Sequence, residues 1–122
     1  MENELRAAEM LRSIGMSPKY KGYAYILYML RLSLEDPLRT HNVSTQLYSQ
    51  VCERFNVPPT AVERNVRFAI RRTWESDADG RMRRLFQSYG ICYIPTNREC
   101  VCILTDRMLH GSISAAAQQR IW

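Results

Sequence analysis

"TAVERNVRFAIRRTW", residues 60–74, decides how this chain is read. Val62, Val66, Ala69 and Ile70 recur at helical spacing and make one apolar stripe, which Trp74 continues a turn later. At about 100° per residue, Thr60, Arg64, Arg67, Phe68 and Arg71 span the opposite arc. Glu63 is the sole acid inside the segment and can reach Arg67, while Glu75, just past its end, can reach Arg71 or Arg72; Arg64 has no acid at either helical spacing. Exposed i,i+4 pairs contribute only about 0.3–0.5 kcal/mol each. The ridge is either a solvated surface or a face built for an anion, and its poor internal pairing favours the second.

Working outward, "NVSTQLYSQVCERFN" (42–56) sets Leu47, Val51, Cys52 and Phe55 on one face of a third helix, with Ser44 or Thr45 available as its N-cap. "VPPT" (57–60) is a tight connection in which the prolines fix φ and suit a turn and a first helical position, and Thr60 is placed to cap the helix after it. A helix, a short turn and a second helix with an exposed basic face is the helix-turn-helix plan, here spanning about residues 44–75, whose second helix enters the major groove of DNA.

The rest of the chain is helical by the same criterion. A first helix covers residues 3–14 and stops at Gly15; a long apolar one runs from Lys21 to Glu35 and ends before Pro37. "ESDADG" (75–80) breaks the basic helix, "RMRRLFQSYG" (81–90) forms a fifth with Gly90 at its C-terminal turn, and Thr96 or Asn97 caps a sixth. "GICYI" (90–94) is the longest stretch of strand alternation. The predicted fold is a compact all-α, six-helix domain over residues 1–111, followed by a tail, 112–122, that either extends as a helix or frays.

With 122 residues the chain is one domain, long enough to bury roughly two-thirds of its unfolded surface. Its 46% hydrophobic and 24% charged residues are those of a folded protein. The net charge of +5 favours anionic partners, and fifteen of the 17 basic residues are Arg, the group that forks onto phosphate or a guanine edge. A GC-rich genome gives the same bias, so position must decide. Cys52, Cys92, Cys100 and Cys102 have no CxxC spacing and read as reduced thiols. No apolar run approaches the roughly 20 residues of a membrane span, and "MENELRAAEMLR" (1–12) is no secretory signal, so the expected location is the cytoplasm, at the nucleoid when bound.

Three stretches, "IGMSPKYKGYAYI" (14–26), "LYSQVCERFNVPPTAVERNVRFAIRRTW" (47–74) and "PTNRECVCILTDRML" (95–109), carry a resemblance. In order and in detail (Lys-Gly-Tyr at 21–23, Val-Glu-Arg at 62–64, Pro-Thr-Asn at 95–97), the chain resembles the C-terminal DNA-binding effector domain of the stage-zero sporulation protein A family of response regulators. The resemblance implies that 60–74 is the recognition helix, with Glu63, Arg64 and Arg67 on its DNA-facing side and Thr60 matching a small hydroxyl residue at its start. Glu63 suits cytosine N4, and an Arg suits guanine O6 and N7. Ala61 stands where the family leads us to expect a base-reading Arg, and Phe68 where it leads us to expect His. An absent arginine–guanine fork removes about 1–3 kcal/mol of discrimination. The implied partners are double-stranded DNA, a sigma subunit of RNA polymerase, and a second copy of the chain as a homodimer on DNA. Only some twenty residues precede Lys21, too few for a receiver domain, and the expectation is a stand-alone regulator.

Other chemistry is weaker. Lys19 and Lys21 lie at a helix start suited to a phosphate. Tyr20, Tyr23, Tyr25 and Tyr28 could stack bases, but Tyr25 and Tyr28 share helical spacing with Met29 and Leu32, as core packing requires. Glu75, Asp77 and Asp79 start a calcium-like loop that fails at Phe86, where a bidentate Glu is required. Cys100, Cys102 and His110 lack the spacing of a zinc site, and His41 reads as a loop residue. No cofactor and no catalytic constellation are expected, so an enzyme is not the reading. The rival is a degenerate effector domain serving as a protein–protein interaction module.

Overall fold

Several helices of this protein end where a residue turns left-handed, and several begin where a side chain or proline disposes of a backbone donor. The computed structural model describes residues 2–121, with side chains as far as residue 111. Helix α1 (Glu2–Ser13) is closed by Gly15 at φ 83°, with Met16 N–H donating to the Leu11 carbonyl and Gly15 N–H to that of Arg12. Helix α2 (Lys21–Glu35) stops before Pro37, which opens a 3₁₀ turn (Pro37–Asn42) whose Leu38 N–H is held by the Asp36 carboxylate at 3.3 Å.

The third helix departs from its expected start. Ser44–Tyr48 forms a π turn that runs directly into α3 (Ser49–Phe55), and neither Ser44 nor Thr45 caps it. The expected cap lies upstream: the Asn42 side chain accepts from Thr45 N–H at 3.4 Å. Helix α4 (Pro59–Glu75) also begins earlier than expected. Pro59 occupies its first turn and needs no acceptor, so Thr60 is already helical and caps nothing.

Asp77 turns the chain into α5 (Arg81–Gln87), its nearly buried carboxylate accepting from Met82 N–H at 3.2 Å and Arg83 N–H at 2.9 Å. That carboxylate is occupied by the first amides of α5 and by the Arg83 guanidinium. Gly90 closes α5 at φ 82°, with Ile91 N–H on the Phe86 carbonyl, so "GICYI" is a turn and not a strand. Helix α6 (Asn97–Ile121) opens with a reciprocal cap: Thr96 Oγ1 accepts from Glu99 N–H, and the Glu99 carboxylate accepts from Thr96 N–H. Its backbone breaks from helical geometry at Gly111 (φ 62°, ψ −153°). The side chains of 112–121 and all of Trp122 lie outside the described residues.

The predicted all-α class holds, with six α-helices and no strand among the described residues. Helix α2 is central and packs against α1, α4 and α6. Ile26, Met29 and Leu30 of α2 meet a core built with Leu11, Val66, Ile70 and Leu104, all buried. At the start of α2 the backbones come closest: a Cβ on Gly22 would lie 2.1 Å from the Asn65 carbonyl oxygen of α4.

Candidate nucleic-acid interface

The turn between α3 and α4 is three residues long, and each has a task. Asn56 takes the left-handed conformation at φ 55° and ends α3, with Val57 N–H donating to the Cys52 carbonyl at 3.2 Å. Pro58 is extended at φ −76° and ψ 158°, and its carbonyl accepts from Ala61 and Val62 N–H to start α4. The stripe read from sequence is the one that is buried: Val62, Val66, Ala69 and Ile70, joined by Thr73 and Trp74. The ridge is the one that is exposed: Thr60, Glu63, Arg64, Arg67, Phe68, Arg71 and Arg72.

Charge on this face is mostly uncompensated. Glu63 pairs with Arg67 one turn on, the expected i,i+4 contact. Glu75 reaches neither Arg71 nor Arg72 in an ion pair; instead Arg72 lies over the Phe68 ring, 5.9 Å from its centroid. Among the described residues no carboxylate pairs with Arg64, Arg71 or Arg72. Their guanidiniums are free to meet an anion without first breaking a pair.

Two supports flank α4. On one side the start of α2 crosses it at Gly22, and Tyr20 meets Phe68 edge-on at 5.7 Å, which brings the exposed Lys19 and Lys21 segment beside the ridge. On the other, the buried Asn97 amide donates to the Glu63 carbonyl and to the Tyr48 hydroxyl, each at 3.0 Å, tying the start of α6 to the N-terminal part of α4. Burial pushes the Tyr48 phenol up, against the Asn97 hydrogen bond that lowers it. Beside this junction an open cleft of about 600 Å³ lies between α4, the 3₁₀ turn and the start of α6, with His41, Arg67, Arg71 and Arg98 on its walls. Gly22, Asn97, His41 and Arg98 carried no site role in the sequence. The one available signal was that Lys-Gly-Tyr and Pro-Thr-Asn stand in the family-like stretches.

The remaining residues find structural work. Tyr25 packs edge-on against Phe55 at 5.1 Å, as does Tyr28 at 5.9 Å, so these rings are core and not a stacking platform. All four cysteines are free thiols; burial pushes Cys100 up to about 12, and Cys102 donates weakly to the Thr40 carbonyl. His41 sits in the 3₁₀ turn. Among the described residues, no helix is long and apolar enough to cross a membrane, and no three His, Cys, Asp or Glu side chains are grouped to hold a metal.

A helix-turn-helix with an unpaired arginine ridge is a DNA-binding arrangement, and comparison with known families agrees. The family described as sporulation initiation factor Spo0A C terminal matches residues 7–108, most of the chain and all of the helix-turn-helix. Its members are DNA-binding effector domains, not enzymes. The chain therefore belongs to the Spo0A C-terminal family, and it is an all-α, DNA-binding protein of transcription regulation in sporulation.

Proposed function

We propose that the chain is a sequence-reading regulator that lays α4 in the major groove of double-stranded DNA. The observation that carries this is the division of α4 into a buried stripe and an exposed ridge whose Arg64 and Arg71 have no carboxylate partner among the described residues. In this reading Arg64 and Arg67 fork onto guanine edges and Glu63 accepts from cytosine N4. Thr60, Arg71, Lys19 and Lys21 hold backbone phosphates, which set position and affinity without reading sequence. Phe68, braced by Tyr20, offers an apolar contact of the kind that suits a thymine methyl. With Ala61 and Phe68 in place of an Arg and a His, the preferred site differs from the one the family leads us to expect.

Residues 1–111 form the DNA-binding unit in this reading. The protein works in the cytoplasm at the nucleoid, with a second copy and a sigma subunit of RNA polymerase as partners on the promoter. Selection from a randomised duplex pool at near-physiological salt tests it, with Arg64→Ala run in parallel, because low salt inflates phosphate contacts. The expected result is an enriched motif, lost or relaxed at one position in the variant. Weak, equal binding by both proteins and no enrichment would turn the assignment toward the protein–protein interaction module.

A further inference from the structure

An open cleft lies on the α6 side of α4. Arg67, Arg71 and Arg98 line it together with His41, and Glu63 is the sole acid among its lining residues. Glu63 is already engaged by Arg67. Among the described residues no carboxylate pairs with Arg98, which stands exposed in the first turn of α6 with the Cys102 thiol one turn on as its neighbour. Ser44 and Thr96 add hydroxyls to the same walls. His41 can present a ring N–H in either tautomer, and each Arg presents a fork of donors, so the walls supply donors to an anion from two sides.

Placement on the fold says which anion. A helix in the major groove has a phosphate backbone on each flank, with about 12 Å of groove between them. One flank of α4 is the Lys19–Lys21 segment, set by the Gly22 crossing; the other is this cleft. We propose that the cleft seats a backbone phosphate of the bound duplex, held by Arg98 and His41 from one wall and Arg71 from the other. This rests on the reading of α4 as the recognition helix and adds the strand that runs along its α6 side.

The test is fluorescence anisotropy on the full chain, titrated across salt with the selected duplex and with a random one. Arg98→Ala is expected to weaken both duplexes alike, about tenfold, and to flatten the salt slope by about one, while Arg98→Lys restores most of the slope. Arg12→Ala, at the exposed end of α1, controls for loss of one charge. Retained helical circular dichroism excludes unfolding. If the wild type binds and Arg98→Ala behaves like Arg12→Ala, the phosphate seat is overturned and the recognition-helix reading stands. If the wild type binds no duplex, both are overturned. If the random duplex is weakened by Arg98→Ala far less than the selected one, the residue reads bases and the phosphate assignment is overturned.

Discussion

The two faces of α4 are made from the same seventeen residues, yet they answer to different physics. The inner face is a set of apolar side chains whose identity matters through volume. The outer face is a set of charges whose identity matters through what they meet. Val66 and Ile70 are buried, and their replacement should be felt in folding alone. Arg64 and Arg71 are exposed and unpaired, so their replacement should leave folding within about 0.5 kcal/mol and be felt only when DNA is present. The difference teaches that the inner stripe fixes where the ridge stands, while the proposed function assigns recognition to the ridge.

The strongest way to break this division is from within. Ile70→Ala opens a cavity under the ridge and should cost about 2–5 kcal/mol in urea unfolding, with base preference unchanged in whatever fraction remains folded. A shift of the preferred motif would show that the two faces are not separable. Gly22→Ala attacks the crossing: its Cβ would meet the α4 backbone at Asn65, and the overpacking should cost about 1–3 kcal/mol. An unchanged melting temperature would mean that α2 and α4 can part at no cost, contrary to their close approach.

Smaller effects sharpen the comparison. Thr96→Ala removes half of the cap on α6 and should cost about 1 kcal/mol by denaturant titration. Its partner supplies a pH signature. The Thr96 N–H chiefly holds the Glu99 carboxyl below its usual range; burial opposes it, and the Tyr93 hydroxyl adds a lesser lowering effect. A folded-state value below the unfolded one stabilises above the unfolded value and fades as pH falls through the folded one. The stability gap between wild type and Glu99→Gln should therefore close on acidification, and a gap constant with pH would remove the cap from the account. Last, Glu63→Gln should change stability by only about 0.3–0.5 kcal/mol while altering preference at one base pair in the duplex selection.

Much of this was legible because α4 is strongly periodic and proline-punctuated: the buried stripe, the exposed ridge and the presence of a short turn follow from spacing, although the turn lies at 56–58 and not at the expected 57–60. The starts of helices were less legible. Thr60 reads as a cap until Pro59 is seen to need none, and the π turn at Ser44–Tyr48 leaves no mark on apolar spacing, so the cap falls to Asn42. The flanks of the site could not be read at all from local pattern. Asn97 reaches Glu63 across 34 positions, and the cleft joins residues from three segments, contacts that only the tertiary fold creates. The family resemblance marked Gly22 and Asn97 as part of its signature without saying why. A backbone crossing and a doubly donating amide are the reasons.

The Gly22 crossing has a thermodynamic consequence for association. Because α2 meets α4 at backbone distance, the spacing between the lysine segment and the arginine ridge is set when the chain folds. The ordering entropy of that arrangement is lost before DNA arrives, and none of it need be lost again on docking. Calorimetry of duplex binding should then give a heat-capacity change in keeping with rigid-surface burial, without the added large negative term that accompanies folding on contact.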